Sequence, residues 1–211
     1  MARGVFITFE GGEGAGKSTQ ISRLCAEFDK YKVKYISVRE PGGTALGEEA
    51  RRLLKDFSLD PPVDQAELML FLAARAQLVE KIIKPALEKG IHVISDRFSD
   101  STIAYQGYGR GIDVNLIATM NNLACGNLKP DYTILLNIPQ EVSLLRMRKR
   151  EAATNTNADR IELAGSDFHQ RVRDGFNKLA QAEPDRFIVV DAAQSVDNVW
   201  SDVWTHLKHL V

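Results

Sequence analysis

Eight residues near the N-terminus have the spacing of a phosphate-binding loop. Residues 11–18 read Gly-Gly-Glu-Gly-Ala-Gly-Lys-Ser, which fits G-x-x-x-x-G-K-[ST]. Glycines let the backbone wrap closely around phosphates, and the N–H groups of the loop and of the helix after it attract anions. Lys17 is then expected at the β- and γ-phosphates of a nucleoside triphosphate, with Ser18 as a ligand of Mg²⁺. The predicted triphosphate site consists of Gly11, Gly12, Glu13, Gly14, Ala15, Gly16, Lys17, Ser18 and Thr19.

The elements that must position this loop follow from hydrophobic patterning. Short apolar segments alternate with longer helical patterns, and the loop lies between a predicted strand and a predicted helix. Strands that are apolar throughout are typical of a parallel sheet with helices on both faces. The pattern therefore predicts a three-layer α/β fold. The strands are expected at residues 5–9, 33–38, 91–95, 132–136 and 187–190, and the helices at residues 17–31, 44–56, 64–90, 113–126, 166–182 and from 139 and 195 onward.

Local signals refine some of these helices. Asp64 and Glu67 have the spacing of a capping box, and Pro85 is expected to kink or divide the long helix that they open. Residues 151–159 are polar, lack apolar periodicity and follow a run of basic residues. We interpret them as a mobile surface segment, part of a lid at about 146–162. With 211 residues, the whole chain, 1–211, is expected to form one domain that includes this lid.

Composition excludes several classes of protein. The 27 Lys and Arg residues balance 28 Asp and Glu residues, so a strongly basic nucleic-acid binder is not expected. The only cysteines are Cys25 and Cys125, far apart, which argues against a disulfide scaffold and fits a reducing compartment. The longest apolar runs are too short for a membrane helix, and the N-terminus lacks a signal peptide. We therefore expect a cytoplasmic protein without nucleic-acid or membrane partners.

The class of nucleotide protein is narrowed by what surrounds the loop. A GTPase would carry Asn or Thr directly before Lys-x-Asp, but Leu128 precedes residues 129–131. A small chain with a polar lid favours a phosphotransferase. One alternative is a P-loop switch or regulatory ATPase that hydrolyses ATP slowly and binds a protein partner. Among kinases, the pattern leaves open which nucleoside monophosphate, or which nucleoside, is the acceptor. A third alternative is an inactive relative of such kinases that serves as a scaffold.

Further motifs carry a resemblance to one family. Residues 39–44 read REPGGT, residues 96–98 read DRF, residues 101–107 read STIAYQG and residues 159–162 read DRIE. In this combination the chain resembles the thymidylate kinase family over nearly its whole length. The resemblance implies a five-stranded parallel sheet of order 2-3-1-4-5 and a homodimer. It also implies that MgATP phosphorylates thymidine monophosphate (dTMP) to the diphosphate, in the service of dTTP synthesis.

The resemblance gives several charged residues a role at the phosphates. Arg97 and Arg39 would hold the phosphate of the acceptor dTMP, and Asp96 would act on Mg²⁺ directly or through water. Glu13 would lie near the acceptor sugar and the metal. The alternatives are an ion pair of Arg97 with Asp96, a surface ion pair for Arg39 and a solvent-facing loop position for Glu13.

The same resemblance assigns the site of the base and sugar. Leu68, Phe71, Leu72, Arg75 and Leu78 form a helical stripe that pattern alone assigns to the core. By resemblance, Phe71 stacks on thymine and Arg75 donates to its O4, whereas cytosine presents a donor there and would be disfavoured. Thr102 would lie at the thymine edge and Tyr105 near the deoxyribose. Ser101 and Gln106 complete the expected contacts, although Ser101 and Thr102 could instead cap a helix.

Basic residues at the lid are the last candidates. One type of the family carries an arginine inside the phosphate loop, and the other supplies it from the lid. The loop here has none, so the resemblance implies a lid arginine at the transferred phosphoryl group. We favour Arg150, then Arg148, and expect Arg146 over the adenine, flanked by residues 192–194. A solvated basic helix face is the alternative.

Overall fold

The structure of the chain, a computed structural model, describes residues 3–56, 60–154, 160 and 164–211. Its strands are β1 (Phe6–Glu10), β2 (Tyr35–Arg39), β3 (His92–Asp96), β4 (Tyr132–Asn137) and β5 (Phe187–Asp191). They form a parallel five-stranded sheet in the order β2-β3-β1-β4-β5, which confirms the predicted order. Each predicted strand lies within two residues of the observed one.

The helices of the first half are α1 (Lys17–Lys30), α2 (Ala45–Lys55), α3 (Asp64–Leu78), α4 (Lys84–Glu88) and α5 (Ser99–Thr102). Those of the second half are α6 (Val114–Cys125), α7 (Gln140–Thr154), α8 (Ser166–Ala182) and α9 (Val196–Leu207). Two segments of π-helix, Val79–Ile83 and Ile103–Gly109, continue α3 and α5, and a 3₁₀ turn, Lys208–Leu210, follows α9. No helix of the described residues is long and apolar enough to cross a membrane.

The sheet separates two apolar layers, as predicted. On one face, Phe9 and Ile94 pack with residues of α1 and α9 such as Leu24 and Val203. On the other face, Phe6 and Val93 of the sheet pack against Leu78 and the π-helical segment after it. A further cluster joins β4 to Tyr105 and α8, and α6 packs on α3 through Ile117. The order of the sheet brings the ends of β1, β2 and β3 together, and each is followed by one of the sequence motifs.

Some local predictions are wrong. The apolar pattern of residues 33–38 and 187–190 predicts buried strands, but β2 and β5 are the edges of the sheet, and Val189 is 53% exposed. The capping box is wrong because Val63 is the N-cap of α3 and Asp64 is already helical. The side chain of Glu67 instead accepts hydrogen bonds from Gln106 and Arg110, since it faces the interior.

Other helix boundaries agree with the sequence. Asp113 and Ser195 cap α6 and α9 through their side chains, and Gly126 ends α6 in the left-handed conformation. Pro85 lies in the first turn of α4, directly after the π-helical segment, so the long helix is divided there as predicted. The first residues of the polar segment 151–159 are helical, which the sequence did not predict, because α7 continues through residue 154. The rest of that segment, 155–159, lies outside the described residues.

Candidate active site

A single pocket of about 550 Å³ collects most of the predicted site residues. It opens beside the phosphate loop, at the carboxyl ends of the central strands, where α/β sheets bind ligands. Of the predicted residues, its walls include Glu13, Gly14, Ala15, Gly16, Lys17, Ser18, Thr19, Arg39, Phe71, Asp96, Arg97, Ser101, Thr102, Tyr105, Gln106, Arg146 and Arg150. Four of the predicted residues do not line this pocket: Gly11, Gly12, Arg75 and Arg148.

The phosphate loop joins β1 directly to α1. Gly11 has φ +131° and its backbone lies so close to Leu136 that a β-carbon would approach the Leu136 carbonyl oxygen to 2.4 Å. Gly14, at φ +68°, lies close to α7, with the Ser143 carbonyl oxygen 2.9 Å from the position of a β-carbon. Both positions therefore require glycine. Gly11 and Gly12 face a small cavity behind the loop rather than the main pocket.

Lys17 and Ser18 begin α1 at the pocket wall. Lys17 is 7% exposed, and its Nζ donates to the carbonyl oxygens of Gly11 and Gly12 at 3.1 and 3.0 Å. Burial and the nearby Arg97 lower the pKa of Lys17, while Glu13 and Asp96 act in the opposite direction. The Ser18 hydroxyl donates to the Asp96 carboxylate at 3.3 Å between Oγ and Oδ2. A lysine, a hydroxyl and a carboxylate thus meet at the start of a helix, where phosphates bind well.

Arg97 and Glu13 form an ion pair in the wall of the pocket. Glu13 accepts from Nη2 of Arg97 and, at 3.2 Å, from the hydroxyl of Tyr105. Although burial by itself raises the pKa of Glu13, the adjacent Arg97 and Lys17 lower it to about 2. Glu13 is therefore an ionised, paired residue, and its solvent-facing alternative is wrong. Arg97 pairs with Glu13 rather than with Asp96.

The base-and-sugar residues lie on α3, on α5 and on the π-helical segment after it. Phe71 is half-buried at the pocket wall, whereas the other members of its stripe, Leu68, Leu72, Arg75 and Leu78, are at most 7% exposed. The ring of Tyr105 packs under the Arg97 guanidinium at 4.9 Å. Helix α5 has Phe98 as its N-cap, so the alternative that Ser101 or Thr102 caps a helix is wrong.

Arg75 lies behind the pocket wall and is 1% exposed. Its Nε and Nη2 donate to Glu40 at 2.8 and 2.6 Å, and its other donors reach Thr102, Asn121 and the carbonyl oxygen of Phe98 at 2.7–3.1 Å. These contacts use all five N–H groups of the guanidinium. Burial raises the pKa of Glu40, against the opposing effect of Arg75. In this arrangement Arg75 reaches the pocket through Thr102.

Arg39 and the lid arginines differ in what they contact. Arg39 lines the pocket, but its side chain is 55% exposed and pairs with Glu48 at 3.1 Å. On α7, Arg146 and Arg150 are one turn apart and both line the pocket. Arg146 also donates to the carbonyl oxygen of Gln194 at 3.3 Å. Arg148 lies on the opposite, exposed side of the helix.

Several supporting residues were missed from the sequence. Three buried carboxylates, Glu10, Glu40 and Glu67, bind residues of the predicted site or its wall. Glu10 and Glu40 could have been suspected, because each stands where a predicted strand ends next to a motif. Nothing in the local pattern distinguishes Glu67 from an ordinary capping residue, and its partners Gln106 and Arg110 are far away in the sequence.

The phosphate loop lies on a parallel sheet of this order and opens into one pocket, which is lined by arginines and a half-buried aromatic ring. These features define a P-loop protein that binds and transfers phosphoryl groups. A family model described as thymidylate kinase matches residues 9–203. The chain therefore belongs to the thymidylate kinase family, and it is a nucleoside monophosphate kinase, a transferase.

Individual relatives agree with this assignment. The chain is 48% identical to the thymidylate kinase of Trichlorobacter lovleyi over 89% of each chain. It is 44% identical to that of Marinomonas sp., over 99% of this chain and 96% of the relative. Among solved structures, a thymidylate kinase from Ehrlichia chaffeensis superposes with a TM-score of 0.76 at 37% identity, covering 98% of this chain and 99% of that one.

Proposed function

We propose that this protein transfers the γ-phosphoryl group of ATP, bound with Mg²⁺, to the 5′-phosphate of dTMP and thereby supplies dTTP synthesis. A bond forms between an acceptor phosphate oxygen and the γ-phosphorus while the bond to the β-phosphate oxygen breaks, so the products are dTDP and ADP. One observation carries the proposal: a single pocket is lined by the phosphate loop and by Arg97, Phe71 and Tyr105. Donor and acceptor would meet there without water between them.

The donor nucleotide would bind along α1 and α7. The N–H groups of residues 13–19 and the start of α1 suit the phosphates, and Lys17 would neutralise charge on the β- and γ-phosphates. Arg146, which contacts the backbone of Gln194, would lie on the adenine side of the pocket. Its neighbour on the same face, Arg150, would reach the transferred phosphoryl group.

The residues at the start of α1 fit a magnesium ion. Ser18 Oγ and Asp96 Oδ2 are hard oxygen donors at the pocket wall, and Mg²⁺ usually takes one or two protein oxygens together with waters and substrate phosphates. No cluster of three or more acidic, histidine or cysteine ligands occurs among the described residues, which suits a metal that arrives with its nucleotide. When bound, Mg²⁺ neutralises charge on the phosphate oxygens.

The acceptor nucleotide would lie between α3 and α5. Arg97 would hold the acceptor phosphate, with Arg39 turning from Glu48 toward it. Phe71 would stack on thymine, with Thr102 at the base edge, Tyr105 against the deoxyribose, and Ser101 and Gln106 beside them. Arg75 would contact O4 if the Thr102 hydroxyl, which accepts its Nη1–H, turned aside. Glu13 would keep Arg97 in place, since it is ionised at neutral pH.

The lid, at about 146–162 within a single domain of residues 1–211, would close over both nucleotides. The described part of it supports this role, because Arg146 and Arg150 lie at the pocket wall and Arg160 donates to the backbone of Asp56 at the end of α2. Closure would exclude water, which otherwise accepts the phosphoryl group. The acceptor phosphate is itself a nucleophile, so catalysis would consist mainly of positioning and charge neutralisation.

We also propose that two copies of the chain associate. Helix α6 presents Leu116, Met120 and Leu123 along one side, and Leu123 is 86% exposed. Helix α3 packs on α6 and exposes Met69, which is 59% exposed. An apolar face of this kind suits a symmetric contact with a second copy. The two free cysteines, Cys25 and Cys125, favour the cytoplasm as the compartment.

The first test is ADP release with MgATP and a panel of acceptors. The panel contains no acceptor, thymidine, and the monophosphates of thymidine, deoxyuridine, deoxycytidine, deoxyguanosine and uridine. We expect a strong preference for dTMP and little release without an acceptor. Equal, slow release in every reaction would instead identify a switch or regulatory ATPase, and preference for another acceptor would identify a different nucleotide kinase.

A further inference from the structure

Glu10 is a buried carboxylate to which neither the sequence motifs nor the proposed reaction assigns a role. It is the last residue of β1, directly before the phosphate loop, and it is 0% exposed. Its Oε1 accepts the backbone N–H of Phe98 at 2.8 Å, and its Oε2 accepts the hydroxyl of Ser101 at 2.6 Å. A carboxylate in such a position is costly unless it is well hydrogen-bonded. Both partners of Glu10 are linked to the same pocket residue, because Phe98 directly follows Arg97 and Ser101 accepts from its guanidinium.

The backbone of Arg97 needs this support. Its φ of +72° lies in the left-handed region, which a residue other than glycine occupies only at an energetic cost. Three hydrogen bonds hold the turn. The Arg97 N–H donates to the carbonyl oxygen of Phe9 at 3.0 Å, and its carbonyl oxygen accepts from Ser95 Oγ at 2.7 Å. The third is the bond from Phe98 to Glu10, so Glu10 fixes the peptide that follows Arg97.

The side chain of Arg97 is fixed through Ser101. The only hydroxyl hydrogen of Ser101 is donated to Glu10, so its oxygen is left to accept from Nη1 of Arg97 at 3.2 Å. The other Nη1 hydrogen goes to the carbonyl oxygen of Gly11 at 3.1 Å, and one Nη2 hydrogen goes to Glu13. Within the described part of the chain, and apart from the contact of the guanidinium with Tyr105, this leaves the Nε–H and one Nη2–H of Arg97 for a ligand.

We propose that Glu10 is a positioning residue for Arg97, which holds the strained backbone and orients the Ser101 hydroxyl so that two guanidinium N–H groups face the acceptor phosphate. The inference rests on the proposed function, because it assigns the acceptor phosphate to Arg97. Glu10 itself does not touch the substrate. Its effect should therefore concern only ligands that carry a 5′-phosphate.

The variant Glu10→Gln tests this mechanism at nearly constant size. If the amide oxygen of glutamine accepts from Phe98, its NH₂ group faces Ser101 and donates to the hydroxyl oxygen. The hydroxyl then no longer donates to position 10, so its hydrogen can rotate toward the Nη1 group of Arg97. The Ser101 oxygen is no longer fixed as an acceptor for Arg97, and the two N–H groups for the phosphate are held less firmly.

The decisive measurement is the affinity for dTMP and for thymidine, which lacks the phosphate, by titration calorimetry with wild type and variants. We expect Glu10→Gln to weaken dTMP binding by about tenfold or more, as for the loss of a hydrogen bond to a charged group, and to change thymidine binding less than about twofold. Glu10→Asp keeps the carboxyl group but is too short for both donors. It should give the same selective loss, and it replaces Glu10→Gln if that variant does not fold.

Two controls separate positioning from a general loss of structure. Thr8→Val removes a buried hydrogen bond of 3.0 Å to Thr133 from the same strand, and it should weaken neither ligand. In a Ser101→Ala background, Glu10→Gln should have a smaller effect on dTMP than in wild type, because it acts partly through that hydroxyl.

Equal weakening of dTMP and thymidine would show that Glu10 has only a structural role, and unchanged dTMP binding in both Glu10 variants would also overturn the inference. A wild-type protein without dTMP-dependent ADP release would instead remove the proposed function itself.

Discussion

At the residue scale, the two faces of α7 distinguish the lid arginines. Arg150 lines the pocket and Arg148 does not. We expect Arg150→Ala to lower kcat by at least about a hundredfold, because an arginine at the transferred phosphoryl group contributes far more than that in related reactions. Arg148→Ala, the matched control, should stay within a few-fold of wild type. Both are measured by ADP release at saturating ATP and dTMP, and the reverse ranking would move the role to Arg148.

Protonation of Glu13 at acidic pH should lower the free energy of unfolding. Its pKa is about 2 in the folded chain, held down by Arg97 and Lys17, against an ordinary value of 4.5. A lowered pKa contributes stability that is present above pH 4.5 and is lost as the pH falls toward 2. We therefore expect Glu13→Gln to be less stable than wild type at pH 6, with the difference shrinking between pH 4.5 and 2. Urea unfolding at several pH values measures this, and a constant difference would contradict it.

Residue identities were predictable from the sequence where the motif is contiguous. Lys17, Ser18, Asp96 and Arg97 were predicted from short strings, and the structure brings all four to one pocket. Glu10 was missed because its role depends on the contact between the end of β1 and residues 98–101, about 90 positions away. Pairing across such distances leaves no local pattern in a single sequence.

At the scale of elements, α8 fits against the π-helical segment that carries Tyr105. A β-carbon at Gly175 would lie 2.6–2.9 Å from side-chain atoms of Tyr108 in that segment. Helix propensity alone favours Gly175→Ala by about 1 kcal/mol, whereas overpacking costs about 1–3 kcal/mol.

We expect the steric term to prevail, so that Gly175→Ala lowers the free energy of unfolding and raises the KM for dTMP more than that for ATP. Urea unfolding and initial rates measure the two effects. A variant that is more stable than wild type with unchanged KM values would show that the two elements separate without cost.

Elements were predictable as far as hydrophobic periodicity determines them. Every strand and the order of the sheet agree with the prediction, because apolar runs and the family motifs specify them. The capping box at Asp64 failed because the same residue types serve inside a protein as well as at a helix end. Glu67 faces Arg110 and Gln106, and only the packing of α3 against its neighbour decides between the two uses.

At the scale of the whole molecule, α3 connects the proposed dimer contact to the substrate pocket. Phe71 faces the pocket, whereas Met69 and Ala73, two positions away on either side, are exposed on the opposite face. A second copy packed on that face would restrict the movement of α3 and thereby hold the stacking surface for the base. The oligomeric state should then influence the acceptor site more than the donor site.

The double variant Leu116→Asp/Leu123→Asp tests this connection, because it places two charges on the exposed side of α6. We expect wild type to sediment with the mass of two chains and the variant with the mass of one, as burying unpaired carboxylates in an apolar contact is unfavourable. Leu145→Asp is the matched control, since Leu145 is 54% exposed on α7, and it should remain dimeric.

The monomeric variant should show a raised KM for dTMP and a nearly unchanged KM for ATP. A monomeric wild type would remove the dimer, and a monomeric variant with normal KM values would show that the pocket does not depend on it.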